Sequence, residues 1–286
     1  MPKSFNVILF QPAGYVHAMA LKEAAEYIHF MLTACGYDSR FSLNHIAADA
    51  HNIILGAHNM TRDDMAHIPS DSIIFNSEKL ESAFFVDPDQ YRQLLNSHCV
   101  WDYSLANLSR IGHGRKSFIP FYYCQSLVRT GNATRDREKG APILFYGWTT
   151  QRRADILKKL QLTGVPVQAI CGQYDLERDR RMFRSLAVLN IHKDQLTMFE
   201  PLRCFYPLTN QIPVISEEVE NDPTADAFRD SIFFLKTDEL VEGISNLCKD
   251  LDTFQKESHE KLSCFQQKSA VAEITSAVKL FLESIS

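Results

Sequence analysis

From residue 142 to residue 216 the chain alternates between short apolar runs and helix-periodic runs, and that alternation limits the possible folds more than any other feature. PILFYG is followed by RRADILKKLQ, VPVQAIC by LERDRRMFRS, LAVLNIH by EPLRCFYPL, and the series ends on IPVIS. Runs of Val, Ile, Leu and Phe without polar alternation suit strands covered on both faces, and parallel strands need a crossover segment between them. Strands separated by about ten helical residues therefore predict βαβ units on a parallel sheet.

The first half carries the same signal less regularly. FNVILF (5–10), HNIILGA and SIIFNSE read as strands, and a helix-periodic stretch from 18 to 34 closes at Gly36. DPDQYRQLLNSH has proline at an early helical position, VWDYSLANLSRI passes from strand to helix, and the proline of SFIPFYY favours a sheet edge. Between the halves lies RTGNATRDREKGAP, polar and without apolar periodicity. The expected fold class is α/β, with two tandem Rossmann-like domains on parallel sheets and a C-terminal helical tail. The expected boundaries are 1–130, a linker at 131–140, 141–235, and a tail at 236–286 that crosses back to the N-terminal domain.

Composition narrows the functional classes. A formal net charge of −5 over 286 residues argues against a general nucleic-acid binder. No apolar stretch approaches the roughly 18 residues of a membrane span, and the N-terminus enters a strand without a secretory leader. The seven cysteines are scattered and contain no C-x-x-C pair, which predicts reduced thiols in a cytoplasmic protein.

Ligands of parallel α/β sheets bind beyond the carboxyl ends of the strands, so residues there are the functional candidates. In ILFQPAGYVHAMALKEAAE the strand is followed by a loop holding His17, placed to act as a general base or to begin the helix. Gly14 is that loop's only glycine, so the three-glycine dinucleotide fingerprint is absent. In ILFYGWTTQRRADIL, Gly147 offers close backbone approach, Thr149 or Thr150 can cap the helix, and Arg152 and Arg153 fall in its first turn. Cations are unfavourable there because the helix dipole prefers acids, so an anionic ligand is expected to offset the repulsion. In LAVLNIHKDQLTMFEPLR, Asn190 and His192 end a strand, and Glu200 with Arg203 opens a helix. A carboxylate so placed can grip a ribose diol, or can merely complement the helix dipole and pair with Arg203. Asp102, in VWDYSLANL, is a second candidate catalytic carboxylate, with helix capping as its structural alternative. No His, Cys, Asp or Glu cluster has metal-ligand spacing, and no serine elbow or Cys–His signature occurs.

Taken in order, ILFYGWTTQRRADILKKL, LERDRRMFRSLAVLNIH and FEPLRCFYPLTNQIPVISE resemble the nucleotide-sugar-binding domain of GT-B glycosyltransferases. The set is most similar to a bacterial group of family-1-like or CgeB-like transferases. The resemblance implies transfer of a sugar from a UDP-, GDP-, TDP- or ADP-linked donor, held in the interdomain cleft, to a hydroxyl-bearing acceptor. That acceptor would be a glycan, a lipid-linked molecule, a small molecule or a protein, and no cofactor or catalytic metal is implied. Gly147, Thr149, Arg152 and Arg153 match the diphosphate loop and Glu200 the ribose carboxylate, with Arg203, Asn190 and His192 beside it. His17 or Asp102 would activate the acceptor in an inverting reaction. Where the family carries small residues after the ribose carboxylate, this chain has PLRCFYPLTNQIP. A catalytically degenerate GT-B-like nucleotide-binding or protein-interaction module is the alternative reading. A response-regulator-type module is disfavoured, because the first strand ends without a cluster of acids.

Overall fold

The computed structural model of the chain describes residues 4–80, 86–112, 114–129, 140–193 and 198–285. Two compact units are formed, one from Met1–Ser126 with Ser269–Ser286 and the other from Leu127–Lys268. The linker expected at 131–140 lies outside the described residues except for Gly140.

The first unit is built on β1 (Ser4–Leu9), β2 (Ser39–Leu43), β3 (Ala50–Leu55), β4 (Ile73–Asn76), β5 (Cys99–Asp102) and β6 (Lys116–Phe118). They form a six-stranded sheet in the order β2-β1-β3-β4-β5-β6, with every pair parallel. Its helices are α1 (Lys22–Ala34), α2 (Arg62–Ala66), α3 (Pro88–Ser97) and α4 (Leu105–Leu108). Helix starts follow capping chemistry: Thr61 and Asp64 form a capping box at α2, Asp87 caps α3 ahead of Pro88, and Ser104 caps α4. One face of the sheet packs Ile8, Ile54, Ile74 and Val100 against Met65, Tyr91, Leu94 and Leu95.

The second unit carries β7 (Ile143–Tyr146), β8 (Val167–Ile170), β9 (Ala187–Asn190), β10 (Val214–Glu217) and β11 (Phe233–Leu235). These form a five-stranded parallel sheet in the order β11-β10-β9-β7-β8. The intervening helices are α5 (Gln151–Leu162), α6 (Asp175–Met182), α7 (Pro201–Thr209) and α8 (Pro223–Asp226), followed by α9 (Leu240–Lys249) and α10 (Leu251–Gln266). Strands β9 and β10 are buried at every position, which is why they read as continuous apolar runs.

The residues after 236 divide between the units. Helix α9 packs on α5, and α10 on α7 and α9, within the second unit. The last helix, α11 (Val271–Ile285), packs on α1 and β6 of the first unit. Its buried residues Ile274, Ala277, Val278 and Phe281 recur at helical spacing. The Phe281 ring lies 6.3 Å from Phe5 and 5.2 Å edge-on from His51. Burial of one such side chain is worth about 1.5–3 kcal/mol. Among the described residues no helix is long and apolar enough to cross a membrane.

Candidate functional site

In the second unit the chain runs from β7 to β8 on one side, then crosses back to place β9 on the other side of β7. The carboxyl ends of β7 and β9 therefore border a topological switch point, where such sheets bind ligands. The loops after β7 and β9, the last residue of β10 and the first turn of α7 all contribute charged side chains here.

Arginine chemistry dominates. Arg153 is 2% exposed; its Nε donates to the Ile191 carbonyl at 2.9 Å and its Nη1 to the Trp148 carbonyl at 2.9 Å. Its Nη2 is 3.8 Å from Glu200, and its guanidinium lies 5.4 Å above the Phe145 ring. Arg152 is partly exposed; its Nη1 donates to the His192 carbonyl at 2.9 Å and to Glu217 Oε2 at 3.0 Å, while Nη2 donates to Glu217 Oε1. Arg203 donates through Nε to Glu200 Oε2 at 3.2 Å and through Nη1 to the Tyr146 carbonyl. Burial alone would pull the Arg203 guanidinium down, but the Glu200 carboxylate outweighs it and holds the side chain cationic.

Three guanidiniums thus meet two carboxylates at one end of the sheet. The anion expected to offset Arg152 and Arg153 is supplied first by the protein itself, as Glu217 and Glu200. Glu217 was not among the sequence candidates. Its only local signal is a carboxylate ending an apolar strand, and its role depends on β10 lying beside β9. Gly147 departs from expectation in the same way. Its φ of +131° requires glycine, but the space over its Cα is taken by Arg203: an added Cβ would lie 2.5 Å from Arg203 Nη1.

The glycine-free segment after Glu200 has a structural reason. Pro207 has no N–H to give the Arg203 carbonyl four residues earlier, and the Tyr146 hydroxyl donates to that carbonyl at 2.7 Å instead. Tyr146 and Arg203 therefore clasp each other's backbone, tying the end of β7 to the start of α7. Glu200 occupies the cap position of α7, but its side chain makes no capping bond and turns to the arginines. Thr150, not Thr149, caps α5: its hydroxyl accepts from the Arg153 N–H at 3.4 Å and donates to the Lys193 carbonyl at 3.3 Å. Thr149 is exposed, as is Trp148. Asn190 and His192 are fully buried. Asn190 Nδ2 donates to Ser216 Oγ at 3.0 Å, and the His192 N–H donates to Glu217 Oε2 at 3.0 Å. Both therefore stand behind the site, in its wall.

In the first unit His17 sits in a 3₁₀ turn (Val16–Leu21) after β1, half-buried, with its ring edge-on to Tyr15 at 5.5 Å. Asp102, expected as an alternative reacting carboxylate, is fully buried at the end of β5. Its oxygens accept from Asn76 Nδ2 at 2.6 Å, the Ser104 N–H at 2.7 Å and Asn107 Nδ2 at 3.4 Å. No acceptor hydroxyl can reach a carboxylate so enclosed, and its work is to tie the ends of β4 and β5 to the start of α4.

Two groups here make stability depend on pH with opposite signs. Burial pushes the Asp102 carboxyl up to about 7, outweighing its hydrogen bonds. Burial lowers His58 to about 4, so its ring is neutral near pH 7 and its 3.6 Å approach to Glu78 is no ion pair there. Between pH 3.8 and about 7 the folded chain keeps a proton on Asp102 that the unfolded chain has lost. That contribution therefore declines as pH rises, by about 1.4 kcal/mol per unit. His58 contributes fully above pH 6.5 and loses its contribution as pH falls toward about 4. Compared with wild type by chemical denaturation at about pH 5 and 8, Asp102→Asn is expected to gain as pH rises and His58→Gln as pH falls. Differences that stay constant with pH would refute the assignment.

No protein-family profile matches the chain. The uncharacterized protein L140 of Acanthamoeba polyphaga mimivirus is 27% identical over 174 residues, which is 59% of this chain and 57% of that protein. Among solved structures, the T4 phage β-glucosyltransferase in complex with UDP and Mn2+ has a TM-score of 0.60 at 13% identity, covering 98% of this chain and 99% of that one. An α1,3-fucosyltransferase has a TM-score of 0.56 at 11% identity, covering 99% of this chain and 90% of that one. A further structure of the β-glucosyltransferase, described as a DNA modifying enzyme, has a TM-score of 0.54 at 14% identity. The chain has the GT-B glycosyltransferase fold: two parallel-sheet α/β units with C-terminal helices. Among the described residues no group of three or more His, Cys, Asp or Glu side chains is placed to hold a metal ion.

Proposed function

We propose that the chain is a glycosyltransferase that moves a sugar from a nucleoside-diphosphate sugar to a hydroxyl-bearing acceptor. The observation that carries this reading is the convergence of Arg152, Arg153 and Arg203 at the switch point of the second unit's sheet, where cations outnumber carboxylates. Thr149 and Arg152 would face the diphosphate, with Arg153 holding their loop and Gly147 making room for Arg203. Glu200 would take the ribose, steadied by Arg203 and walled by Asn190 and His192. In the reaction the acceptor oxygen bonds to the sugar's anomeric carbon, and the bond from that carbon to the diphosphate oxygen breaks. The arginines and the start of α5 would stabilise the charge on the departing nucleoside diphosphate. In the inverting case the acceptor's proton passes to His17, the reachable member of the two candidate bases.

The structural neighbours support the donor class, since their structures include UDP in one case and GDP-fucose in the other. The T4 phage structure also includes Mn2+, whereas the sequence resemblance implies metal-independent transfer here, for which turnover is expected to be unchanged by a chelator. A net charge of −5 favours a glycan, lipid-linked, small-molecule or protein acceptor over DNA. A cytoplasmic setting is supported by the seven free cysteines.

The test is a panel of UDP-, GDP-, TDP- and ADP-sugars in thermal-shift and donor-hydrolysis assays. Wild type is expected to be stabilised by one family of nucleoside diphosphates and to hydrolyse the matching sugar. His17→Ala is expected to lower transfer by about 10²-fold or more while leaving the thermal shift intact. Absence of any shift would refute the reading. The second reading, a degenerate binding module, is favoured by the way the site's ion pairs close upon one another, and would be indicated by binding without turnover.

A further inference from the structure

Glu217 is fully buried at the last position of β10, and four hydrogen bonds converge on its carboxylate. Oε1 accepts from Arg152 Nη2 and from the Thr237 hydroxyl at 2.7 Å. Oε2 accepts from Arg152 Nη1 at 3.0 Å and from the His192 N–H at 3.0 Å. Burial alone would raise its pKa, yet the bonds from Arg152, Thr237 and His192 hold it below the ordinary carboxylate range. The carboxylate lies wholly inside, while a quarter of the Arg152 side chain, 26%, is exposed.

The planar geometry of a guanidinium turns this into an aiming device. Of the five N–H bonds of Arg152, the end-on pair is used by Glu217 and the second Nη1 proton by the His192 carbonyl. What remains is the side-on pair, Nε–H with the second Nη2–H, which makes no hydrogen bond to the described residues. Two parallel donors in one plane match two oxygens of a phosphate.

We propose that Glu217 is a positioning residue that locks Arg152 so that this side-on fork is presented to the diphosphate of the donor. The inference rests on the nucleotide-sugar reading above and deepens it: Glu217 touches no substrate and acts only through Arg152. Glu217 also neutralises Arg152 formally, so recognition there depends on the fork's direction more than on its charge. A lysine in place of Arg152 keeps the charge but supplies neither the plane nor the fork.

The test is a double-mutant cycle of Arg152→Gln and Glu217→Gln, read as the dissociation constants of UDP and GDP, with circular dichroism to confirm the fold. For whichever nucleotide wild type binds, each single variant is expected to weaken binding by about tenfold or more, and the double variant by little more than either alone. A purely structural Glu217 predicts multiplicative losses instead, and that outcome would overturn the proposal. So would Glu217→Gln binding within twofold of wild type while Arg152→Gln binds weakly; the donor reading would then survive alone. Arg152→Lys, which leaves Glu217 compensated, covers the case in which Glu217→Gln does not fold. It is expected to lose tenfold or more, and retained affinity would overturn the proposal. If wild type binds neither, the cycle is read with TDP and ADP instead, and wild type binding none of the four would overturn the donor reading and this inference together.

Discussion

Gly147→Ala is expected to destabilise the second unit by about 2–4 kcal/mol, through backbone strain and lost hydrogen bonds. Two causes act together. A φ of +131° is a conformation that a side chain strains at once, whatever space surrounds it. The new Cβ would also stand 2.5 Å from Arg203 Nη1 and 3.3 Å from Nη2. A guanidinium is the far end of a flexible side chain and can swing away, so the cost lies in what it abandons. Arg203 would leave the Tyr146 carbonyl and the Glu200 carboxylate together with its position over the Phe145 and Tyr146 rings. Hydrogen exchange of the β7 and β9 amides measures the effect within the second unit, where a whole-chain melting curve would mix two units. In an Arg203→Met background the steric part disappears and only the backbone strain remains, so the two substitutions are expected to be non-additive. If Gly147 served only to admit a ligand, alanine would reduce nucleotide binding and leave exchange unchanged.

Arg153→Met is expected to cost about 3 kcal/mol or more, because it removes one partner of a buried ionic network. Methionine restores much of the arginine's apolar stem, so the loss is mainly that of the guanidinium, with its hydrogen bonds and its place over Phe145. The Ile191 and Trp148 carbonyls lose their donors, and Glu200 keeps Arg203 alone. Those carbonyls belong to the loops after β9 and β7, so the substitution unties the two loops that frame the switch point. The neighbouring Arg152→Lys is expected to retain most stability, since a cation still meets Glu217. Adjacent residues of one motif thus separate into a buried structural clamp and a partly exposed arginine paired with Glu217. Equal stability losses in the two variants, measured by the same exchange experiment, would contradict that division.

Much of the fold and of the site is legible in the amino-acid sequence. The runs ILFY, AVLN and VISE are strands of mainly apolar residues in the interior of the sheet. VQAI is recognised by its β-type residues although it lies at the edge with only Ile170 buried, and α5 begins at its capping residue Thr150. The placement of Arg152, Arg153, Glu200 and Arg203 at the carboxyl end of one sheet also follows, since strand–loop–helix order puts those loops on one side. Strand β2 leaves no such trace: SRFSL is an edge strand with intermediate and exposed positions, and without burial on both faces no apolar run marks it. Asp102 reads as available because a strand-end carboxylate is usually reachable. The amides that enclose it come from Asn76, which β4 brings alongside, and from Asn107 in α4.

Periodicity, caps and glycine or proline signals act over a few residues, so the sequence alone determined most of the strands and helices and the end of the sheet where chemistry collects. Pairing of charges was decided by the tertiary structure. Arg152 meets Glu217 across 65 positions and the His192 carbonyl across 40, and Tyr146 exchanges backbone bonds with Arg203 across 57. Those separations close only because β9 and β10 lie side by side and β7 inserts between β8 and β9. Strand order is a property of the whole sheet, so it settled which carboxylate restrains which arginine and which N–H bonds of Arg152 are used within the protein.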